Sequence, residues 1–461
     1  MSEQHKVLSD LPTLTDGLHW DSEVARMKER VEHCPTPHVM GVHGNWGSGK
    51  TSFMRQLQRE LGGICTDVCG VQGGDDRVVD NKKIVTIWFD AWRYQNEPNP
   101  VVALIQEMRR QFSFVPSVIE KFKKIGEISL RYTLDGLSNI GKAIGYETLP
   151  DIGKVQKLGE EWEKSHYAQS LSSDSIRDCL HGTIDSLLPD EKGSRVVVFV
   201  DDLDRCSPKA AFKLLEGLKI YFNIPNCVFV LGMNEDILTE AISAEVFSSL
   251  KIDAGEKHLM ASHYLEKICT DVYRLPLPNN AVSMFSNLLY AAGEKEQVDS
   301  FNLAVGDGFF LPPNPRRLKA LANQWVRFAG CVPFPNLKEE REVWCVRVLI
   351  AAYIHQFHRD MWERWHFDPD FWVECSAWCN GDRSLNGDGV DISPAWASHL
   401  KLTTRQYVGD SGVRPAWSLD YPNPGSINIF WIDELIRKYR DHLLPLDFLP
   451  LLQGRQFQGG K

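Results

Sequence analysis

The sequence predicts an α/β fold in which helices cover both faces of a parallel β-sheet, a three-layer α/β/α arrangement. A complete glycine-rich motif lies between a short apolar segment and a helix. Continuous runs of β-branched and aromatic residues, typical of strands buried on both faces, occur at 195–200 and 227–232. Helical periodicity fills the intervals, so strands and helices are expected to alternate over 38–275.

The first elements lead into the glycine-rich motif. Apolar residues at helical spacing predict a helix over 21–34, which two prolines end. A strand follows at 38–43 and a helix at 51–61. The polar stretch 66–83 is predicted to be a surface loop.

The remaining strands follow in chain order. An amphipathic, mainly helical insertion is expected at 100–187, between two strands of the sheet. Ser207 and Pro208 suit the start of a helix that extends to about 222. The further predicted strands are 84–89, 195–200, 227–232 and 272–275.

Beyond residue 280 the pattern turns helical. Helices are predicted at 280–295, after Asn314-Pro315, at 338–365 and at 427–441, with a loop-rich stretch at 380–426. The predicted domains are a core of 1–99 and 188–278, a helical insertion of 100–187, a lid-like helical subdomain of 279–335, and a helical, aromatic-rich region of 336–461.

The glycine-rich motif carries the first chemistry. Gly44 to Thr51 fits G-x-x-x-x-G-K-[ST], in which backbone N–H groups and a helix N-terminus face phosphates. Lys50 would neutralise the terminal phosphates and the Thr51 hydroxyl would bind Mg²⁺. The residues predicted to bind the nucleotide are Gly44, Asn45, Trp46, Gly47, Ser48, Gly49, Lys50, Thr51 and Ser52.

A pair of carboxylates at the end of a buried strand supplies the second part of the predicted nucleotide site. Asp201 is predicted to hold Mg²⁺ together with Thr51, and Asp202 to orient and deprotonate the attacking water. Asp204 competes with Asp202 for the role of base, unless it pairs with Arg205 instead.

Polar and cationic residues near other strand ends complete the candidate set. Asn234 ends the next strand, where it is either a sensor of the γ-phosphate or a plain turn residue. An arginine usually stabilises charge at the γ-phosphate. Four arginines are open for that role, each equally able to form a structural ion pair: Arg93, Arg205, Arg316 and Arg317.

Composition bounds the function class. A formal net charge of −10 argues against a protein that coats nucleic acid or anionic lipid. The polar N-terminus and the lack of a long apolar run predict a cytoplasmic protein without a membrane span. Eleven scattered cysteines fit a reducing compartment, and neither they nor His355 and His358 have the spacing of a complete metal site.

Several segments together resemble the KAP family of P-loop NTPases, over about residues 9–330. The lead-in Ser9-Asp10-Leu11-Pro12 is similar to the family's N-terminal signature, which tends to lie near the nucleotide base. The other segments are the P-loop 44–51, Asp90-Ala91-Trp92-Arg93-Tyr94, Asp201-Asp202-Leu203-Asp204-Arg205-Cys206, Tyr264-Leu265-Glu266-Lys267-Ile268 and Asn314-Pro315-Arg316-Arg317-Leu318-Lys319.

The resemblance implies a P-loop NTPase core of the additional-strand class with a helical insertion before the carboxylate pair. Many members carry two membrane-spanning helices in that insertion, whereas 100–187 is amphipathic here. Asn234 replaces an aspartate often seen at its position. The segment 314–319 resembles one that places an arginine near the phosphates, and Arg317 is preferred over Arg316. Bacterial members often act in phage-exclusion and defence systems with partner proteins.

The resulting hypothesis is a Mg²⁺-dependent ATPase that couples hydrolysis to conformational change or assembly, in a bacterial antiphage system. ATP is preferred to GTP because no Asn-Lys-x-Asp motif occurs. Partner proteins of a multi-component system and an ATP-dependent homo-oligomer are expected. Two alternatives stay open: an ATP-gated scaffold with little turnover, and a motor stimulated by nucleic acid.

Overall fold

The structure, a computed structural model, describes the greater part of the predicted core and of the helical region after it. The described residues are 7–14, 17–62, 83–97, 100–111, 173–188, 192–221, 224–269, 271–276, 280–306, 311–359, 362–363, 402–409, 412–419 and 438–439.

A five-stranded parallel sheet organises the first unit, which comprises residues 11–45 and 49–275. Its strands lie in the order β2-β3-β4-β1-β5, and every neighbouring pair is parallel. The strand β4 therefore lies between β1, which precedes the P-loop, and β3, which carries the carboxylates. This order confirms the predicted additional-strand core. The strands are β1 (His38–His43), β2 (Ile84–Asp90), β3 (Arg195–Asp201), β4 (Cys227–Met233) and β5 (Asp271–Arg274).

Successive side chains of the central strands enter two separate hydrophobic cores, because strand side chains alternate between the faces of a sheet. Val198 and Phe229 belong to one core, while Phe199 and Val230 belong to the other. Every residue of β4 is buried. Apolar layers on both faces account for the uninterrupted hydrophobic runs in the sequence and confirm the three-layer architecture.

Helices of this unit cover the two faces unequally. The helices α1 (Asp21–His33) and α2 (Lys50–Glu60) contribute to the core that holds Phe199. The opposite core is covered by α3 (Pro100–Gln111), α4 (Ser173–Leu187), α5 (Pro208–Tyr221), α6 (Glu235–Val246) and α7 (Ala254–Ile268).

The predicted insertion differs from expectation at its two ends. Leu104 of α3 and Leu180 of α4 are fully buried in the same core as the sheet residues. Both helices thus form part of a layer on the sheet, rather than a segment separate from the core. Residues 112–172 of the predicted insertion lie outside the described residues.

The second unit comprises residues 1–10, 46–48 and 276–461. Its helices surround Trp325, whose ring contacts Phe285, Phe301 and Trp344 edge-on at centroid distances of 6.1, 5.3 and 6.0 Å. The helices are α8 (Ala281–Ala292), α9 (Lys295–Val305), α10 (Pro315–Ala329) and α11 (Lys338–Phe357).

In this unit two helices end earlier than predicted, and one helix and one hairpin were not predicted. Gly293, at φ +101°, ends α8, and α9 is an additional helix that the sequence analysis did not predict. The helix α11 ends at Phe357, before the predicted 365. Within the stretch predicted to be loop-rich, β6 (Leu402–Gly409) and β7 (Gly412–Leu419) pair antiparallel. Most of the predicted helix 427–441 lies outside the described residues.

Among the described residues, none of the helices has both the length and the apolarity needed to cross a bilayer.

Candidate nucleotide-binding site

The P-loop forms the turn between β1 and α2, as its sequence predicts. The Gly44 N–H donates to the Met233 carbonyl at 3.2 Å, which fixes the start of the loop to β4. Gly49 has φ +100°, a left-handed conformation that favours glycine. A Cβ atom there would also lie 3.0 Å from the Trp20 ring. Residues 46–48 group with the helical unit, whereas the rest of the loop groups with the sheet unit.

Lys50 is held at the start of α2 by three oxygen atoms. Its Nζ donates to the Gly44 carbonyl at 2.7 Å and to the Asn45 carbonyl at 3.4 Å. It also lies 3.1 Å from Asp204 Oδ2, in an ion pair whose side chains are 8% and 2% exposed. A buried ammonium group needs such partners, because burying an unpaired charge is costly.

Thr51 in the first turn of α2 lies beside Asp201 at the end of β3. The Thr51 side chain forms a hydrogen bond with the Asp201 carboxylate, which is 4% exposed. Burial raises the pKa of Asp201 above its ordinary value, and the Thr51 hydrogen bond opposes this shift. A Cβ atom on Gly232 of β4 would lie 2.9 Å from Asp201 Oδ1, so this carboxylate rests against bare backbone.

This donor set suits Mg²⁺. The ion prefers oxygen ligands and usually retains waters and substrate phosphates beside one or two protein ligands. A hydroxyl and a carboxylate in contact supply that minimum. The described residues contain no cluster of three or more His, Cys, Asp or Glu arranged to enclose a metal.

Asp202 occupies the turn immediately after β3 in a left-handed conformation, with φ 57°. Its Oδ1 lies 2.9 Å from Nε of Arg205. Burial, and next the neighbouring Asp201 carboxylate, raise the pKa of Asp202 to about 7, against the lowering effect of Arg205. A carboxyl group with a pKa near 7 can accept a proton at neutral pH, as a general base requires.

The ion-pair partner of Arg205 is Asp202 rather than Asp204, the partner considered from sequence. Arg205 pairs with Asp202, whereas Asp204 is buried and pairs with Lys50. The short 3₁₀ turn Leu203–Arg205 explains the exchange, because it turns Asp204 inward while Arg205 remains partly exposed beside Asp202.

Asn234 caps a helix and also contacts the P-loop. Its Oδ1 accepts the N–H groups of Asp236 and Ile237, at 3.1 and 3.4 Å, and so caps the N-terminus of α6. Its Nδ2 donates to Asn45 Oδ1 of the P-loop at 3.3 Å. The residue is therefore a helix cap whose amide nitrogen also binds the P-loop.

The remaining arginine candidates have different surroundings. The Arg93 N–H donates to Asp90 Oδ1 at 3.2 Å, in a turn that follows β2. In the helical unit, Nε of Arg316 lies 2.7 Å from Oδ2 of Asp10. Arg317 is half-buried, and burial lowers its pKa, an effect opposed by Tyr353.

Other predicted loop residues are distributed as follows. The Trp46 side chain is 58% exposed. The buried Ser48 Oγ has no hydrogen-bond partner among the described residues, which suits a group that meets a ligand oxygen. Ser52 Oγ accepts the Thr13 N–H at 3.1 Å, so it fixes the lead-in segment to α2.

Neither Trp20 nor Gly232 was identified from sequence as part of the site, and Asn314 was named only as the first residue of the segment 314–319. Trp20 packs against Gly49 and Gly232 against Asp201, while Asn314 Nδ2 donates to the Trp46 carbonyl at 2.8 Å. The sequence carried a signal only for Asn314, which precedes Pro315 as a helix cap would.

The chain is similar to several known proteins. An uncharacterized protein of Methanocaldococcus jannaschii is 19% identical over 173 residues, which cover 32% of this chain and 88% of that protein. The Phage T7 exclusion protein of Escherichia coli K12 is 24% identical over 267 residues, 52% of this chain but only 30% of that protein. The solved structure of the ORC2 protein of Aeropyrum pernix, in ADPNP and ADP complexes, is 11% identical with a TM-score of 0.36, covering 92% of this chain and 95% of that one.

A family model for the KAP family P-loop domain matches residues 22–329. This range includes every strand of the parallel sheet, the P-loop, the carboxylates after β3 and the helix α10. With the P-loop and a carboxylate-tipped strand separated by one additional strand, the chain belongs to the KAP family of P-loop NTPases, a family of nucleotide-binding proteins.

Proposed function

We propose that this protein is a Mg²⁺-dependent ATPase. The observation that carries the proposal is the pairing of P-loop residues with carboxylates at and just after the end of β3: Lys50 with Asp204, and Thr51 with Asp201. These pairs join a phosphate-binding loop to acidic side chains within the sheet unit, as a nucleoside triphosphatase requires. The lack of an Asn-Lys-x-Asp motif favours ATP over GTP.

The P-loop would hold the triphosphate through its backbone N–H groups, the N-terminus of α2 and the Lys50 ammonium group. Thr51 and Asp201 would hold Mg²⁺, which supplies positive charge to the phosphate oxygens when bound. Asp204 keeps Lys50 directed toward the loop carbonyls and neutralises it in the buried interior.

Hydrolysis requires a water positioned in line with the γ-phosphorus. Asp202 would orient that water and accept its proton as the new oxygen–phosphorus bond forms, while the bond to the ADP oxygen breaks. Its pKa of about 7 suits this transfer near neutral pH. Asn234, whose amide already contacts Asn45, would sense the γ-phosphate from the end of β4.

An arginine from the segment 314–319 would stabilise the charge that develops during the reaction. Arg317 was preferred from sequence, and its half-buried side chain lies near Tyr353. Arg316 is its competitor, because its backbone N–H donates to the Gly47 carbonyl of the P-loop at 3.3 Å.

The biological role that we propose is phage exclusion in the cytoplasm, with hydrolysis driving conformational change or assembly. The support is the similarity to the Phage T7 exclusion protein, of whose length this chain covers 30%. Partner proteins of a multi-component system and an ATP-dependent homo-oligomer are parts of this proposal.

The variant Asp202→Asn tests the reaction and separates an enzyme from an ATP-gated scaffold. Asn keeps the shape of the side chain but cannot accept the proton, so we expect ATP and Mg²⁺ to bind while turnover falls by at least about 100-fold. In cells, loss of phage exclusion in this variant supports an enzyme. Wild-type exclusion by a variant without turnover would favour the scaffold, and strong stimulation of the wild type by DNA or RNA would favour the motor.

A further inference from the structure

The N-terminus of α10 contacts the tip of the P-loop through both ends of one side-chain amide. Asn314 Oδ1 accepts the Arg317 N–H at 3.2 Å and thereby caps the helix. Asn314 Nδ2 donates to the Trp46 carbonyl at 2.8 Å. Capping uses only the oxygen atom, so the bond from the nitrogen is an additional function of this side chain.

A second contact lies one residue further along each segment. N–H groups in the first turn of a helix have no partner within the helix. In α10 the Arg316 N–H donates instead to the Gly47 carbonyl at 3.3 Å. Gly47 has φ +78°, and a Cβ atom there would lie 2.7 Å from both Arg316 Cβ and Asn314 Oδ1. The loop backbone is therefore packed against the first turn of α10 so closely that only glycine fits.

These two bonds determine where the loop N–H groups point. The Trp46 carbonyl and the Gly47 N–H belong to one planar trans peptide, in which they face opposite directions. Fixing that carbonyl toward Asn314 directs the Gly47 N–H away from α10. The Gly47 carbonyl and the Ser48 N–H are related in the same way. Both N–H groups are donors that a P-loop presents to phosphate.

We propose that Asn314 is a positioning residue for nucleotide binding, which holds the peptide planes at the tip of the P-loop in the orientation that phosphate requires. The inference rests on the proposed function, namely that this loop binds ATP. By linkage, a nucleotide that stabilises this loop conformation also stabilises its contact with the first turn of α10.

Two substitutions separate this role from helix capping. Asp and Ser are N-caps comparable to Asn, so Asn314→Asp and Asn314→Ser both retain an acceptor for the Arg317 N–H. Neither retains an amide donor for the Trp46 carbonyl. The serine variant is neutral, so it shows whether an effect in the aspartate variant arises only from added charge near the phosphates.

Asn280 provides the matched control. It caps α8 by accepting the Ser283 N–H at 2.8 Å, in the same helical unit. Asn280→Asp and Asn280→Ser therefore test the same chemical changes at a cap to which we assign no contact with the P-loop.

The experiment measures ATP binding by calorimetry, steady-state KM and kcat, and thermal unfolding for the wild type and these four variants. We expect both Asn314 variants to weaken ATP binding and raise KM about 3- to 10-fold, with kcat nearly unchanged, since one hydrogen bond is lost in ground and transition states alike. Unfolding temperatures should stay close to the wild type, and the Asn280 variants should bind ATP as the wild type does.

Three results would overturn the inference: wild-type affinity in both Asn314 variants, weakening in Asn314→Asp alone, or equal weakening in the Asn280 variants. A wild-type protein that binds no ATP would instead refute the proposed function, so the two failures are distinguishable. Asn314→Ser serves as the second variant if Asn314→Asp does not fold.

Discussion

Gly232 of β4 offers a strict test of how the site is packed. An added Cβ atom would lie 2.7 Å from Met54 Sδ and 2.9 Å from Asp201 Oδ1, whereas ordinary contacts are 3.4–4 Å. The Met54 thioether is flexible and can move, but Asp201 is buried at the end of β3 and bonded to Thr51. Gly232→Ala therefore overpacks the core and displaces the proposed Mg²⁺ ligand.

Overpacking a core by one methyl group costs about 1–3 kcal/mol. We expect a free energy of unfolding lower by about 1–2 kcal/mol, since Met54 relieves part of the strain, and an unfolding temperature lower by roughly 2–6 °C. The ATPase rate should fall by at least about 10-fold, with a raised Mg²⁺ concentration for half-maximal activity. Urea unfolding and a Mg²⁺ titration of phosphate release measure these effects.

Gly217→Ala in α5 is the matched control. The added Cβ atom would lie 3.4 Å from Val101 Cγ2, an ordinary contact, and alanine is the better helix former by about 0.5–1 kcal/mol. We expect this variant to be as stable as the wild type or slightly more stable, with unchanged activity. Wild-type Mg²⁺ dependence and stability in Gly232→Ala would refute the packing of Gly232 against Asp201.

Three further predictions concern other parts of the chain. If the proposed arginine lies in the segment 314–319, one of Arg316→Ala and Arg317→Ala should lower kcat by roughly 100-fold or more while the other changes it little, and equal, small effects in both would contradict the assignment. The Gln111 side chain accepts the Trp88 N–H of the edge strand β2 at 3.1 Å and donates to the Trp88 carbonyl at 2.5 Å. Gln111→Ala should therefore lower the free energy of unfolding, measured in urea, by about 2–3 kcal/mol. A loss under about 0.5 kcal/mol would contradict this role. Burial holds the pKa of His43 below its ordinary 6.5, so the unfolded chain takes up a proton first and wild-type stability should fall as pH drops below about 6.5. His43→Asn keeps an acceptor for the Glu235 N–H and should flatten the dependence of stability on pH. An unchanged pH dependence in this variant would exclude His43 as its source.

Local patterns predicted the sheet and the P-loop well. The apolar runs of β3 and β4 required burial on both faces, and glycine, lysine and threonine at fixed spacing required a phosphate-binding turn. Asp201 at the end of β3 followed from the same reasoning, because carboxyl ends of parallel strands carry the ligand-binding residues of open α/β sheets.

Contacts between residues that only the folded chain brings together could not be predicted from sequence. Asp202 and Asp204 are two residues apart, and only the 3₁₀ turn decides that one meets Arg205 and the other Lys50. The contact of Asn314 with Trp46 joins residues 268 positions apart, for which a single sequence carries no signal.

The most direct test of the central claim is the rate of phosphate release from ATP with Mg²⁺ by purified wild-type protein and Lys50→Ala, with Lys213→Ala on the exposed side of α5 as control. Removing Lys50 deletes the cation proposed to neutralise the terminal phosphates and leaves Asp204 buried without its partner. We predict release by the wild type and the control, its loss on chelating Mg²⁺, and none above background in Lys50→Ala. Equal release by Lys50→Ala and the wild type would contradict the assignment of this loop as the site of ATP hydrolysis.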